Sequence, residues 1–397
     1  MRIFLLSFFS FLFSQTSYSH SIGFHQLNSD HHDELANPKR RIFVYFKEKV
    51  DLGKLRDSLD VKRVPLSLRP TIVIRQLTKL AEASRRKLME EIYRFEINHP
   101  ESFSDETKYF ISNLVAMDAT PELIHYLSEL PFIERIESAE SLRLEYRPPV
   151  RMEPSSNRSI GGHEPGLGVI KAPFMWKKGY SGLNRKVYII DTGVWPEHPA
   201  IRRQWEGNYF PLYRCWKSFD LKVPGDKSES HGTHVAGICL GLEQNANDTI
   251  GVAFNASFIA ADPIVQNPKD VKPIEKLIGA FEFALNPDGD TTTVDDVPDV
   301  VNNSWGITAK DSSLCSYSLI EDMFLALDAA GIAVEFSAGN EGPGYGSIDR
   351  PQYVTIDTLN IFTVGAVAAT EDESNIIIAD FQAEGQPHAP QQMKKTH

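Results

Sequence analysis

The stretch "ESHGTHVAGI", residues 229–238, sets His231 and His234 three positions apart ahead of a run of small apolar residues. Two chemistries fit such a pair. A metal site needs more donors than two imidazoles one helical turn apart, and no third ligand or Cys-x-x-Cys spacing accompanies them, so no metal centre is predicted and His234 reads as structural. General-base chemistry needs one imidazole and a carboxylate, elsewhere in the chain, that holds its tautomer and supports its charge. Asp191, closing the apolar run "VYII", is the candidate carboxylate, and His231 the candidate base. Asn303 and Ser304 close "DVV" in the same way, and Asn340 closes "VEFSAG". An aspartate, a histidine and a later serine, in that chain order, form one of the unrelated solutions to activating a hydroxyl nucleophile.

These residues need a frame that brings them together, and the second part of the chain has the pattern for one. "KVYIIDT", "FIAADPI", "DVVNNSW", "IAVEFSAG" and "IFTVGAV" read as strands; "HGTHVAGICLGL", "PIEKLIGAFEFAL" and "LIEDMFLALDAAG" read as helices. Strand–helix alternation predicts an α/β fold, doubly wound, with a mostly parallel sheet and helices on both faces. In such sheets functional groups gather at the carboxyl ends of the strands, where Asp191, Asn303, Ser304 and Asn340 fall.

The preceding part reads differently. "RRIFVYFKEKV" alternates at strand period, Leu77, Ala81, Leu88, Ile92 and Phe95 recur at helical spacing within 76–97, and "NLVAMDA" is a strand. Thr120 and Pro121 are placed to open a helix over "TPELIHYLSEL", and "FIERIES" closes the unit. A small α+β domain over residues 38–146 is predicted, followed by a linker at 147–165 rich in proline, glycine and serine, and a second domain over 166–397.

"MRIFLLSFFSFLFSQTSYSHS" begins with a basic residue, continues with a short apolar run and ends among small residues, which is the layout of a cleaved secretory signal over residues 1–19. Export to the extracellular space is expected, and no other stretch approaches membrane-spanning length. The formal charge is −12; residues 20–150 carry 20 basic and 21 acidic side chains, residues 151–397 carry 20 and 32. That acidic field excludes nucleic acid and anionic membrane surfaces as partners. Three cysteines make no disulfide scaffold and allow at most one bridge, with Cys215 and Cys315 as one pairing among those the sequence leaves open. "NPDGDTTTVDD", residues 286–296, clusters four aspartates without EF-hand spacing, so it reads as a solvated acidic loop with calcium as the alternative.

Taken together, the motifs resemble the subtilisin-like serine peptidases, the subtilase or S8 family. "GVIKAPFMWKKGYSGLNRKVYIIDTGV" resembles the family's entry segment and aspartate motif, "HGTHVAGI" its histidine motif, "NNSWG" its substrate-binding strand and "SAGNEGPG" its oxyanion motif. The likeness spans 165–385, and the last two motifs lean toward bacillopeptidase-F-like members. Residues 38–146 resemble the family's inhibitory I9 propeptide. The resemblance implies a secreted serine endopeptidase precursor acting on polypeptides, blocked by its own propeptide and requiring no cofactor. It makes Asp191 the orienting carboxylate, His231 the base, Asn340 the oxyanion donor, and Ser304, Trp305 and Gly306 a backbone edge for peptide substrate. It also implies a departure. The family's Gly-Thr-Ser-Met/Ala segment does not occur after Asn340, so a chain truncated or frame-shifted before its nucleophile is expected, inactive or nearly so. The alternative is a non-catalytic pseudopeptidase that binds peptides or acts through its inhibitor-like N-terminal domain.

Overall fold

A computed structural model of the chain describes residues 39–139, 162–227, 230–243, 248–264, 273–306, 318–344, 346–348, 351, 361–368 and 377–379. The expected signal segment 1–19 and linker residues 147–161 lie outside the described residues. No helix among the described residues is long and apolar enough to cross a membrane.

The N-terminal part runs β1 (Arg40–Phe46), α1 (Leu52–Val61), α2 (Arg69–Glu96), β2 (Phe103–Tyr109), β3 (Leu114–Ala119), α3 (Pro121–Ser128) and β4 (Ile133–Ser138). Its antiparallel sheet has the order β2-β3-β1-β4, the split βαββαβ arrangement. The 28-residue α2 begins seven residues before the predicted start, because Pro70 suits a first turn whose N–H groups have no partner and Val73 and Ile74 already pack inward. Thr120 caps α3, accepting from the Leu123 N–H at 3.4 Å.

β1 departs from the predicted alternation. Ile42 to Phe46 are all buried. Ile42, Val44 and Phe46 pack with Leu88, Ile92 and Leu123 of α2 and α3, whereas Phe43 and Tyr45 join the apolar cluster that continues into the C-terminal part through Phe281 and Phe324. A small sheet with two apolar faces must be covered twice, and the second cover is the rest of the chain.

The C-terminal part runs β5 (Lys186–Ile190), β6 (Trp216–Lys217), α4 (His231–Leu240), β7 (Ser257–Ala261), α5 (Pro273–Leu285), β8 (Val300–Asn303), α6 (Ser318–Ala330), β9 (Ala333–Ser337) and β10 (Ile361–Val364). The sheet order is β10-β9-β8-β5-β7-β6, every pair parallel. β5 is buried along its whole length, as a strand covered on both faces must be. Chain order reverses at β5, where β7 lies on one side and β8 on the other. That topological switch point opens a crevice at the carboxyl ends of the strands. Behind it, Phe281, Phe324 and Phe336 pack ring against ring, each contributing about 1.5–3 kcal/mol of burial.

The end of the predicted linker is ordered: Gly162–His163 pairs in parallel with Asp248–Thr249. The Cys215–Cys315 pairing, one of those the sequence leaves open, involves a residue outside the described ones. Cys215 is a free thiol packed beside β6, its pKa pushed up to about 11 by burial and then by Glu206; Cys315 lies outside the described residues.

The N-terminal part is fastened to α5 and α6 by charge as well as by the shared apolar cluster. Arg41 makes a bidentate contact with Glu275, Nε–Oε1 at 2.8 Å and Nη2–Oε2 at 2.6 Å. The Tyr109 hydroxyl donates to the same carboxylate at 3.2 Å. Lys49 reaches Asp322 and Arg56 reaches Asp328, at 3.1 and 3.2 Å. Glu282 accepts from the backbone N–H groups of Phe110 and Ile111, the latter at 3.0 Å.

Candidate active site

β5 delivers Asp191 to the switch point, and α4 begins at His231 on the far side of the crevice. The His231 Nδ1–H donates to Asp191 Oδ1 at 2.6 Å, a charge-assisted distance. This bond sets the tautomer and leaves Nε2 as the basic nitrogen. Asp191 is 1% exposed and the His231 side chain 14%, so the pair is shielded from water but reachable from one side. Burial works against charge on the imidazole. The hydrogen bond and charge of Asp191, with the charge of Asp226, outweigh it and raise the His231 pKa above its ordinary value.

The Asp191 carboxylate is held from behind. Thr192 N–H donates to Oδ1 at 2.7 Å, while Oδ2 is buried with no hydrogen-bond partner among the described residues. The Thr192 hydroxyl lies 3.2 Å from Asp191 Oδ1 and 2.8 Å from Asp226 Oδ1. It has one proton to give, and the shorter contact takes it. Glycine is required where the two segments meet. A Cβ on Gly232 would stand 2.0 Å from the Gly193 carbonyl oxygen, and Gly193 itself has φ +105°. Any side chain at Gly232 would push α4 away from Asp191.

The other predicted site residues occupy neighbouring strand ends. Asn303 ends β8, fully buried, its amide donating to the Glu335 carbonyl at 3.1 Å, so it serves the sheet. Ser304 Oγ accepts from Asn302 Nδ2 at 3.1 Å. Trp305 turns its ring into the core, edge-on to Phe336 with centroids 5.3 Å apart, and Gly306 follows it. Asn340, three residues beyond β9, is exposed, and its backbone N–H donates to the Glu341 carboxylate at 2.9 Å. The 3.9 Å approach of Cys239 Sγ to Asn302 Oδ1 joins α4 to the end of β8.

His234 is exposed on α4, away from the Asp191 bond. Among the described residues no group of three or more His, Cys, Asp or Glu stands together as a metal site. In the 286–296 loop the carboxylates bind their own backbone: Asp288 accepts from Asp290 N–H, Asp290 from Thr292 N–H and Asp296 from Asp288 N–H, each at 2.8 Å.

Sequence reasoning missed two carboxylates. Asp262, following β7, is fully buried and accepts from the N–H groups of Phe219 and Leu221 at 2.6 and 2.7 Å, so this second strand-end aspartate anchors a turn. Its position matched the strand-end rule that selected Asp191. Asp226 sits in the polar loop before α4, where no periodicity marks it.

A model of the subtilase family matches residues 182–394. Bacillopeptidase F of Bacillus subtilis (strain 168) is 31% identical over 294 residues, 70% of this chain and 19% of that protein. Subtilisin E of the same strain is 30% identical over 177 residues, 45% of this chain and 40% of its own length. The chain thus spans less than half the length of either relative. Among solved structures, the epidermin leader peptide processing serine protease of Staphylococcus aureus superposes with a TM-score of 0.51 at 14% identity, over 87% of this chain and 72% of the other. That likeness speaks to the fold alone.

Proposed function

The chain belongs to the subtilase family, and from that membership we propose that it is a secreted serine endopeptidase precursor in which Asp191 and His231 form the general base. The observation that carries this reading is the 2.6 Å bond between Asp191 Oδ1 and His231 Nδ1 at the switch point of the parallel sheet. Asp191 orients the imidazole and supports its charge; His231 Nε2 takes a proton from a hydroxyl nucleophile and returns it to the leaving amine. Asn340 then donates its side-chain amide to the tetrahedral oxyanion, and the backbone of Ser304, Trp305 and Gly306 pairs with an extended substrate. In subtilisin, removing such an oxyanion donor costs about 2.7–4 kcal/mol, a value that belongs to that enzyme.

The N-terminal part acts as the inhibitory propeptide in this reading. Its clamp on α5 and α6 and the apolar cluster it shares with them support that role. Export through residues 1–19 precedes folding. No Gly-Thr-Ser run follows Asn340 within the 397 residues. In subtilisin, loss of that serine alone costs about 10⁶ in turnover, again a value that belongs to that enzyme. The 397-residue polypeptide is therefore expected to hydrolyse no casein above background and to form no adduct with a serine-directed phosphonate. A stoichiometric adduct, located by mass spectrometry, would overturn this. The second reading is a pseudopeptidase that binds peptides without cleaving them. Saturable binding of an extended peptide to the purified chain, with no cleavage once a serine segment is supplied, would favour it.

A further inference from the structure

We propose that Asp226 is a positioning residue for the Asp191–His231 pair, its carboxylate bridging the turn that carries Asp191 to the first turn of the helix that carries His231. The inference rests on the general-base reading above and names the part of the site that aligns it. The two oxygens of Asp226 divide the work. Oδ1 accepts from the hydroxyl of Thr192, the residue after Asp191, at 2.8 Å. Oδ2 accepts from both the backbone N–H and the hydroxyl of Thr233, two residues after His231, each at 2.8 Å.

Each threonine carries the bridge further. Thr192 Oγ1 accepts from Gly232 N–H at 3.1 Å, and Thr233 Oγ1 accepts from Trp195 N–H at 2.9 Å. The loop bearing Asp226 is fixed by backbone pairing of Gly193 with Asp226 and by the Lys227 N–H on the Thr192 carbonyl at 3.2 Å. A Cβ on Gly193 would meet the Gly225 carbonyl oxygen at 2.2 Å, and one on Gly232 the Gly193 carbonyl oxygen at 2.0 Å. Three segments, 191–193, 225–226 and 232–233, thus meet closely at Gly193 and Gly232, and a single carboxylate ties the outer two together. Because Thr192 and Thr233 both give their protons to Asp226, Asp191 Oδ1 is left to His231 and the Thr192 N–H.

The charge of Asp226 adds to the geometry. Among the described residues, Asp191 and Asp226 act on the His231 charge, and His231 in turn lowers the pKa of His234 after burial has done so. Asp226 is a second negative charge favouring the imidazolium that forms when the base accepts its proton. The Nδ1 resonance of a variant that keeps this charge but lacks the Thr192 hydroxyl separates positioning from charge alone.

The test follows His231 by NMR in the full 397-residue chain with labelled histidine, in the wild type and in D226N, T192V and T192S. The expected wild type shows a low-field Nδ1 proton and a His231 titration above the ordinary value. D226N lowers the proton affinity of His231 about threefold to tenfold and broadens the Nδ1 resonance. T192V keeps the Asp226 charge but cuts the bridge, so it broadens the resonance with a smaller change in affinity; T192S, which keeps the hydroxyl, restores it. If D226N fails to melt cooperatively, the T192V and T192S pair decides. Titration and resonance unmoved in folded D226N, or in T192V where D226N does not fold, overturn the proposal and leave the base reading standing. A wild-type His231 that titrates at its ordinary value without the low-field proton sinks both.

Discussion

Asp191→Asn reverses the direction in which His231 departs from its ordinary pKa. In the wild type burial disfavours the imidazolium, and the hydrogen bond and charge of Asp191, helped by Asp226, more than offset it. An asparagine keeps the shape and removes the largest favourable contribution, so burial then dominates and the pKa falls below the ordinary value. The proton affinity of His231 is expected to drop about tenfold to a thousandfold, the range for a group losing an adjacent opposite charge. The pH dependence of stability changes sign with it. In the wild type the folded pKa is raised, so the contribution of this group is fully present below 6.5 and is lost as pH rises through the raised value. In D191N the folded pKa is lowered, so stability contributed by this group rises as pH climbs through 6.5. Histidine NMR titration and urea unfolding at paired pH values check both. An unchanged His231 titration in folded D191N would contradict the account.

Glu282→Ala is expected to loosen the grip of α5 on the N-terminal part. It strands the N–H groups of Phe110 and Ile111, at about 1–3 kcal/mol each, so their hydrogen-exchange protection should fall about tenfold or more. The wild type carries a pH signature as well. Burial pushes Glu282 from 4.5 up to about 7, against the two backbone N–H groups that favour its charge. A carboxyl whose pKa is raised in the packed state holds the contact fully below 4.5, loses strength as pH rises toward 7 and levels off above. Asp322, facing Lys49, is raised in the same direction, chiefly by burial. Glu282→Gln keeps an acceptor for the two N–H groups and removes the titration, so protection should persist while its pH dependence flattens. Protection of Phe110 and Ile111 unaffected by either substitution would show that Glu282 does not hold this contact.

Much of the frame was legible because burial on both faces leaves a plain signature. "VYII" and "FIAA" are apolar runs of strand length, "AVEFS" alternates and buries Val334 and Phe336, and the helices between them carry apolar residues at helical spacing. The pairing of Asp191 with His231 was legible from strand-end placement and motif order. The rest escaped for physical reasons. β2, "FSDETKY", is an edge strand whose side chains mostly face solvent, so it carries no apolar alternation. α1 contains Gly53 and rests on an Asp51 cap, a weaker signal than apolar spacing. The continuous run in β1 reports a second covering surface that lies more than two hundred residues away in sequence, and pattern alone does not say what covers it. Asp226 is set apart from Asp262 and the loop aspartates by its contacts with Thr192 and Thr233, which exist only in the folded chain.

The most direct test of the central claim is whether His231 activates a serine when one is supplied. The chain is extended with a Gly-Thr-Ser-bearing segment of the subtilase family, cooperative folding is verified, and the release of the leaving group from a chromogenic ester and the hydrolysis of casein are followed. The account predicts a burst of acylation and sustained turnover that H231A abolishes. A folded extended chain that neither acylates nor hydrolyses, or one whose turnover survives H231A, would contradict it.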